Sequence, residues 1–167
     1  TQASWDVFRP REQATAQIAM AGDVARLQSW LADPSQRPAW QLTGQLNCEA
    51  VVQPAEQRTS AQVTAVVENL LATSQTGSTW REPAIQWTCK ASYDASTDTV
   101  FADQVDCVSN LVEMQARGKL AGLTTARNLD CQGQVKYDLA RLSVLLAPDF
   151  NGGVTLTGQE SRSFTFS

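Results

Sequence analysis

Trp40-Gln41-Leu42-Thr43-Gly44-Gln45-Leu46-Asn47-Cys48-Glu49-Ala50-Val51-Val52-Gln53 is the stretch on which the fold turns. Leu42, Gly44, Leu46, Cys48, Ala50 and Val52 fall on one parity, and Gln41, Thr43, Gln45, Asn47, Glu49 and Gln53 on the other. Successive side chains of a strand point to opposite faces, so this is a long strand with one apolar and one polar side. Pro54 ends the run, since it has no N–H to give to a ladder.

The same period extends outward from it. Ile85, Trp87, Cys89, Ala91 and Tyr93 alternate with Gln86, Thr88, Lys90, Ser92 and Asp94. Ala95-Ser96-Thr97-Asp98 reads as a turn, after which Thr99, Phe101, Val105 and Cys107 return on the apolar side. Val112, Met114, Ala116 and Leu120 predict a further strand, with Arg117-Gly118-Lys119 marking a kink or bulge. Leu129 to Tyr137 predicts another, carrying Cys131, Gly133, Val135 and Tyr137. Ala61, Val63, Ala65 and Val67 alternate too, but Val66 and Leu70-Leu71 break the count, so a short helix competes with a strand there. Thr76-Gly77-Ser78 marks a loop. Short turns between strands of roughly ten residues imply an antiparallel meander, wet on its polar face.

On either side of this meander the chain repeats itself. Asp23-Val24-Ala25-Arg26-Leu27-Gln28-Ser29-Trp30-Leu31-Ala32-Asp33 aligns with Asp138-Leu139-Ala140-Arg141-Leu142-Ser143-Val144-Leu145-Leu146-Ala147-Pro148, identical at six of eleven positions. Trp40 to Gln45 then meets Val154 to Gln159, where Leu-Thr-Gly-Gln recurs. Asp23 and Asp138 stand where a helix N-cap belongs, and the apolar residues behind them follow helical spacing. Pro34 and Pro148 follow the helices, and Asn151-Gly152-Gly153 turns the second copy into its strand. Ile18, Met20 and Gly22 alternate ahead of the first helix. Two strand–helix–loop–strand units are therefore expected, over about 18–45 and 133–159, flanking a meander over 46–132. The expected class is mainly β with a few short helices (α+β), a long, curved antiparallel meander sheet. Gly44 and Gly158 are expected on its apolar face, where a neighbouring backbone packs closely.

Composition excludes several functions. Hydrophobic residues make up 43% and charged residues 18% of the 167, enough for a core. Thirteen basic residues against 17 acidic ones are scattered, so no patch exists to neutralise phosphates, and nucleic acid is not an expected partner. No run approaches the ~18 apolar residues of a membrane-spanning helix. Ser163-Phe164-Thr165-Phe166-Ser167 reads as a strand stopped midway. The chain is thus expected to be a piece of a longer parent, with any leader or anchor upstream and the rest of that parent as a partner.

The chemistry-bearing residues are few. There is no His, which removes Ser-His-Asp and Cys-His schemes, and no phosphate-cradling or nucleophile-elbow motif occurs. Cys48, Cys89, Cys107 and Cys131 contain no C-x-x-C pair, so a zinc site is unsupported and no cofactor is expected. All four share the apolar register, which suits buried thiols, while their even number leaves disulfides open. Asp103 with Asp106, or Asp94 with Asp98, could form a carboxylate pair, but turn and strand-end carboxylates are ordinarily just solvated. The reading is non-enzymatic. Trp30 and Trp87 are assigned to packing, while Trp5 and Trp80 lie beside charged or turn residues.

The sequence GDVARLQSWLA or YDLARLSVLLA, then LTGQ, then long alternating strands, resembles the repeats of large AsmA-like bacterial envelope proteins. The stretch Tyr137 to Ser167 carries most of that resemblance. It implies an inner-membrane-anchored parent in the periplasm, with an apolar sheet that shelters lipid acyl chains or maintains the envelope, and no catalytic residue. Leu46, Cys48, Ile85, Trp87, Cys89, Phe101 and Val135 would line that apolar face. The alternative is a structural or protein-interaction module of a secreted or surface protein, its sheet capped by its own helices through Trp30, Leu31, Leu145 and Leu146.

Overall fold

The computed structural model describes residues 2–4, 15–32, 38–55, 57–75, 77–125, 127–146 and 156–167. Nine strands follow one another: β1 (Gln2–Ser4), β2 (Ala16–Asp23), β3 (Trp40–Gln53), β4 (Arg58–Ser74), β5 (Thr79–Asp94), β6 (Thr99–Val108), β7 (Val112–Ala121), β8 (Asn128–Asp138) and β9 (Gln159–Phe166). Helix α1 (Val24–Leu31) lies between β2 and β3, and α2 (Leu139–Leu146) between β8 and β9. Their order in the sheet is their order in the chain, and each neighbouring pair is antiparallel. The protein is thus mostly β, an open meander with two short helices. β4, at 17 residues, runs about 55 Å.

The stretch 61–71 resolves to strand, with β4 unbroken from Arg58 to Ser74. Its pattern blurs because Asn69 takes a left-handed φ of 53° where the β3–β4 register shifts, placing two β4 residues opposite Gly44. Gly44 is required at that shift. A Cβ there would lie 3.0 Å from the Glu68 carbonyl oxygen and 3.2 Å from Leu70 Cα. Gly158 differs from expectation: it precedes β9, with nothing within 4 Å of where a Cβ would point.

The repeat is structural. Asp23 pairs with Gln45 across β2–β3, and Asp138 pairs with Gln159 across β8–β9. Asp23 Oδ1 accepts from the Ala25 N–H at 2.7 Å, and Asp138 Oδ1 from the Arg141 N–H at 3.1 Å, each capping its helix. Among the described residues, the clamp of a helix onto the following strand is seen in the first copy, between α1 and β3. Gln28 Nε2 donates to the Trp40 carbonyl at 2.5 Å, and the Leu42 N–H donates to Gln28 Oε1 at 2.9 Å. The aligned residue is Ser143, whose hydroxyl donates instead to Ala140 O. The connections at 33–37 and 147–155, with Pro34, Pro148 and Asn151-Gly152-Gly153, lie outside the described residues, as does Trp5.

No second layer covers this sheet among the described residues. Leu70, Ala72, Cys107, Glu82 and Thr99 alone fall in the buried class there. The chain exposes 12053 Å², against about 8,100 Å² for a compact monomer of this mass. Helix α1 ends after eight residues and leaves Trp30 74% and Leu31 85% exposed, so the expected inward packing of these two does not occur.

Candidate functional site: the apolar face of the sheet

Register fixes which side chains share a face, because residues opposite one another in a ladder lie on the same side. One row runs Met20, Cys48, Ala65, Trp87, Cys107, Met114, Val135 across seven strands. Leu46, Val67 and Ile85 make a neighbouring row, and Val63, Cys89, Val105 and Ala116 another. Six of the seven expected lining residues, Leu46, Cys48, Ile85, Trp87, Cys89 and Val135, therefore stand together on one face.

Phe101 does not join them. It pairs with Ser92 and Lys119 on the polar face, and the Arg58 guanidinium sits 4.6 Å from its ring centroid. Thr99 goes with it, opposite Asp94 and Ala121. The cause is a bulge: Gln104 pairs with Lys90 but Ala102 pairs with Ala91, so Asp103 is an extra residue that inverts the parity of everything before it. Val100 and Ala102 take the places on the apolar face. The irregularity expected at Arg117-Gly118-Lys119 is the same event seen from β7, with Asp103 and Gln104 together opposite Arg117.

The face has a characteristic relief. Ala61, Ala91, Ala102 and Gly118 follow one another across β4 to β7, a trough of small side chains. Tyr93, Val100, Leu120 and Leu129 line one bank, and Val63, Cys89 and Val105 the other. At Gly118 a Cβ would fall 2.5 Å from the Asp130 carbonyl oxygen and 2.7 Å from Cys131 Cβ. At Gly133 it would fall 2.4 Å from Gln115 O and 2.7 Å from Phe164 Cζ, so the Phe164 ring already occupies that space. Between β2 and β8 the paired residues of this face, from Ala16 to Gly22 and over 46–52, 61–67, 85–91, 100–107, 112–120 and 129–137, include no charged or amide side chain. Yet Ile18 is 48%, Trp87 43% and Leu129 45% exposed.

All four cysteines lie on this face as free thiols. Cys107 is buried, and burial raises its thiol pKa, while Cys48, Cys89 and Cys131 are half-buried, less than their register alone predicts.

The polar face holds the acids. Asp103 and Asp106 line an open hollow of about 540 Å³ with Arg117, Gln132 and Gln134. Asp103 is exposed, and Asp106 accepts from the Gln104 amide. With its amide oxygen turned inward, Gln132 accepts from Arg117 Nε and Nη2, both at 2.9 Å. Ala116 and Phe164 line the same hollow. Asp94 and Asp98 serve the β5–β6 turn. Asp98, at φ 48°, accepts from Thr124 N at 2.9 Å, Thr124 Oγ1 at 2.8 Å and Tyr93 Oη at 3.2 Å. These bonds, the Thr124 N–H first, hold its carboxyl below the usual range, and the bond from Ser96 does most to lower that of Asp94.

Sequence reasoning missed Glu82, which is fully buried. Its Oε1 accepts from the Asn110 N–H at 2.7 Å, and no partner reaches Oε2 among the described residues. It ties the β6–β7 turn to β5, and no alternation signals such a contact between segments 28 residues apart. No helix of the described residues is long and apolar enough to cross a membrane.

No protein-family model, curated protein or solved structure matches this chain.

Proposed function

We propose that this chain is a non-catalytic segment of a cell-envelope protein of the AsmA-like kind, whose apolar sheet face shelters lipid acyl chains in the periplasm. The observation that carries the reading is the apolar face of β2 to β8, which no second layer covers among the described residues and whose paired rows over 46–52, 61–67, 85–91, 100–107, 112–120 and 129–137 hold no charged or amide side chain. Such a surface offers almost nothing to hydrogen-bond a sugar or a peptide. It rewards methylene groups, each worth about 0.8 kcal/mol when removed from water. The trough from Ala61 to Gly118 gives an extended chain a shallow seat, with larger side chains on both banks. The rival reading, a module capped by its own helices, loses support from Trp30 and Leu31, which α1 turns to solvent.

The test is to extract and identify lipid from protein purified out of a bacterial host, and to titrate it with a fluorescent fatty acid while following Trp87. Co-purified phospholipid and saturable binding are expected. Absence of both would retire the lipid reading in favour of the structural module.

A further inference from the structure

We propose that the apolar face carries two sites for a soft monovalent cation of the Cu(I) class, each built from a methionine and the cysteine directly opposite it on the next strand. The chain has two methionines and four cysteines. Both methionines stand opposite a cysteine: Met20 of β2 faces Cys48 of β3, and Met114 of β7 faces Cys107 of β6. Both pairs lie in the one row that runs Met20, Cys48, Ala65, Trp87, Cys107, Met114 across the sheet. Residues opposite one another on a face hold their Cβ atoms about 4.5–5.5 Å apart. Two metal–sulfur bonds of about 2.3 Å each, the length a thiolate takes on zinc, span a similar distance. A cation between Sγ and Sδ is therefore reached by side-chain rotation, with the backbone register as it stands. All four thiols are free, so none of this sulfur is tied up in a disulfide.

The surroundings select the ion. Thiolate and thioether are soft ligands, which suit Cu(I) better than harder divalent ions. Around them, the paired rows of this face over 46–52, 61–67, 85–91, 100–107 and 112–120 offer no carboxylate, amide or guanidinium, and the chain has no histidine. A zinc ion would thus find two of the four ligands it takes. It would also leave a net positive charge beside apolar side chains, where an uncompensated charge is costly. A monovalent cation between one thiolate and one thioether makes a neutral unit. On binding, the cysteine S–H bond breaks, the metal–sulfur bond forms and the proton leaves to the buffer; no electron moves. The two sites differ in access. Cys107 is 8% exposed and has Trp87 opposite it on its other side, so its cation lies beside the indole, whereas Met20 is 42% exposed. Both sites follow from the register alone, whether or not the face also carries lipid.

The reduced whole chain is titrated, without oxygen, into the coloured Cu(I)–bicinchoninate complex, and the loss of colour counts the metal withdrawn. Two equivalents per chain are expected, one for each pair, with a quenching of indole emission that Trp87→Phe removes. Methionine to leucine nearly conserves volume, so the fold is kept and only the thioether goes. Met114→Leu should leave one equivalent and abolish the quenching, while Met20→Leu should leave one equivalent and keep it. The altered site should weaken by more than the roughly tenfold that a supporting contact alone is worth. Excess Zn(II) should displace nothing. Two undiminished equivalents in a variant carrying both Met20→Leu and Met114→Leu would assign the metal to the thiols alone and overturn the proposal. So would a failure to withdraw copper, or its displacement by Zn(II).

Discussion

Ala91→Asp places a carboxylate in the middle of the small-residue trough, opposite Ala61 and Ala102. No basic side chain shares those rows within β4 to β6, so the charge has no partner on the face. With the face open to water, the carboxylate keeps most of its hydration and the change costs about 1 kcal/mol, chiefly the poor fit of Asp to a strand. For a chain of this length that is a fall in Tm of about 2–4 °C. Under a packed second layer, the same unpaired charge would cost about 3–5 kcal/mol, lowering Tm by roughly 6–20 °C. An acyl chain in the trough would lose contact with two or three methylenes, at about 0.8 kcal/mol each, or roughly 15–60-fold in affinity. The assays are differential scanning calorimetry without lipid and fluorescent fatty-acid titration. A Tm loss above 10 °C would show the face to be a closed core. Unchanged fatty-acid affinity in a folded variant would place any lipid elsewhere.

Four further outcomes are expected. Gly133→Ala should lose about 1–3 kcal/mol by denaturant unfolding, because the new methyl meets the Gln115 carbonyl, whereas Gly22→Ala, with nothing within 4 Å, should stay within about 1 kcal/mol of the parent. Glu82→Gln keeps an acceptor for the Asn110 N–H and should leave stability equal or higher, while Glu82→Ala should cost about 1–3 kcal/mol by orphaning that donor. The carboxyls of Asp94 and Asp98 are held below their unfolded value of 3.8, so their contribution is present above that value and fades as pH falls through the lower folded value; Asp98→Asn, which tolerates the left-handed φ, should flatten the acid limb of stability below about pH 5. Maleimide should label Cys107 slowest of the four thiols, and a bound fatty acid should slow Cys89, which lies on the bank of the trough.

The alternation at 41–53, 85–93 and 129–137 gave its strands because each is paired without interruption in its interior or broken only near one end. The two helix caps and the repeat were legible for the same local reason: an aspartate, an apolar helical stripe and a glutamine at fixed spacing. Phe101 was not, because one inserted residue at Asp103 inverts parity and leaves no trace in composition. The 61–71 stretch hid its strand behind the shift at Asn69. Exposure of Leu31 escaped prediction too, since helical spacing defines a stripe but not whether anything lies opposite it.

Because strand order is chain order, β1 and β9 never meet and each strand leans only on its neighbours. Cooperativity in such a sheet is one-dimensional, a chain of nearest-neighbour couplings rather than a single core. Stability then depends on how many strands are zipped, and opening starts at the margins, so amide protection should peak near β4 and β5 and decline toward β9. Folding can nucleate at any tight hairpin and spread outward, each step closing only a short loop. Length also becomes an adjustable property: inserting or deleting whole hairpins changes how far the sheet reaches without disturbing the remaining pairs.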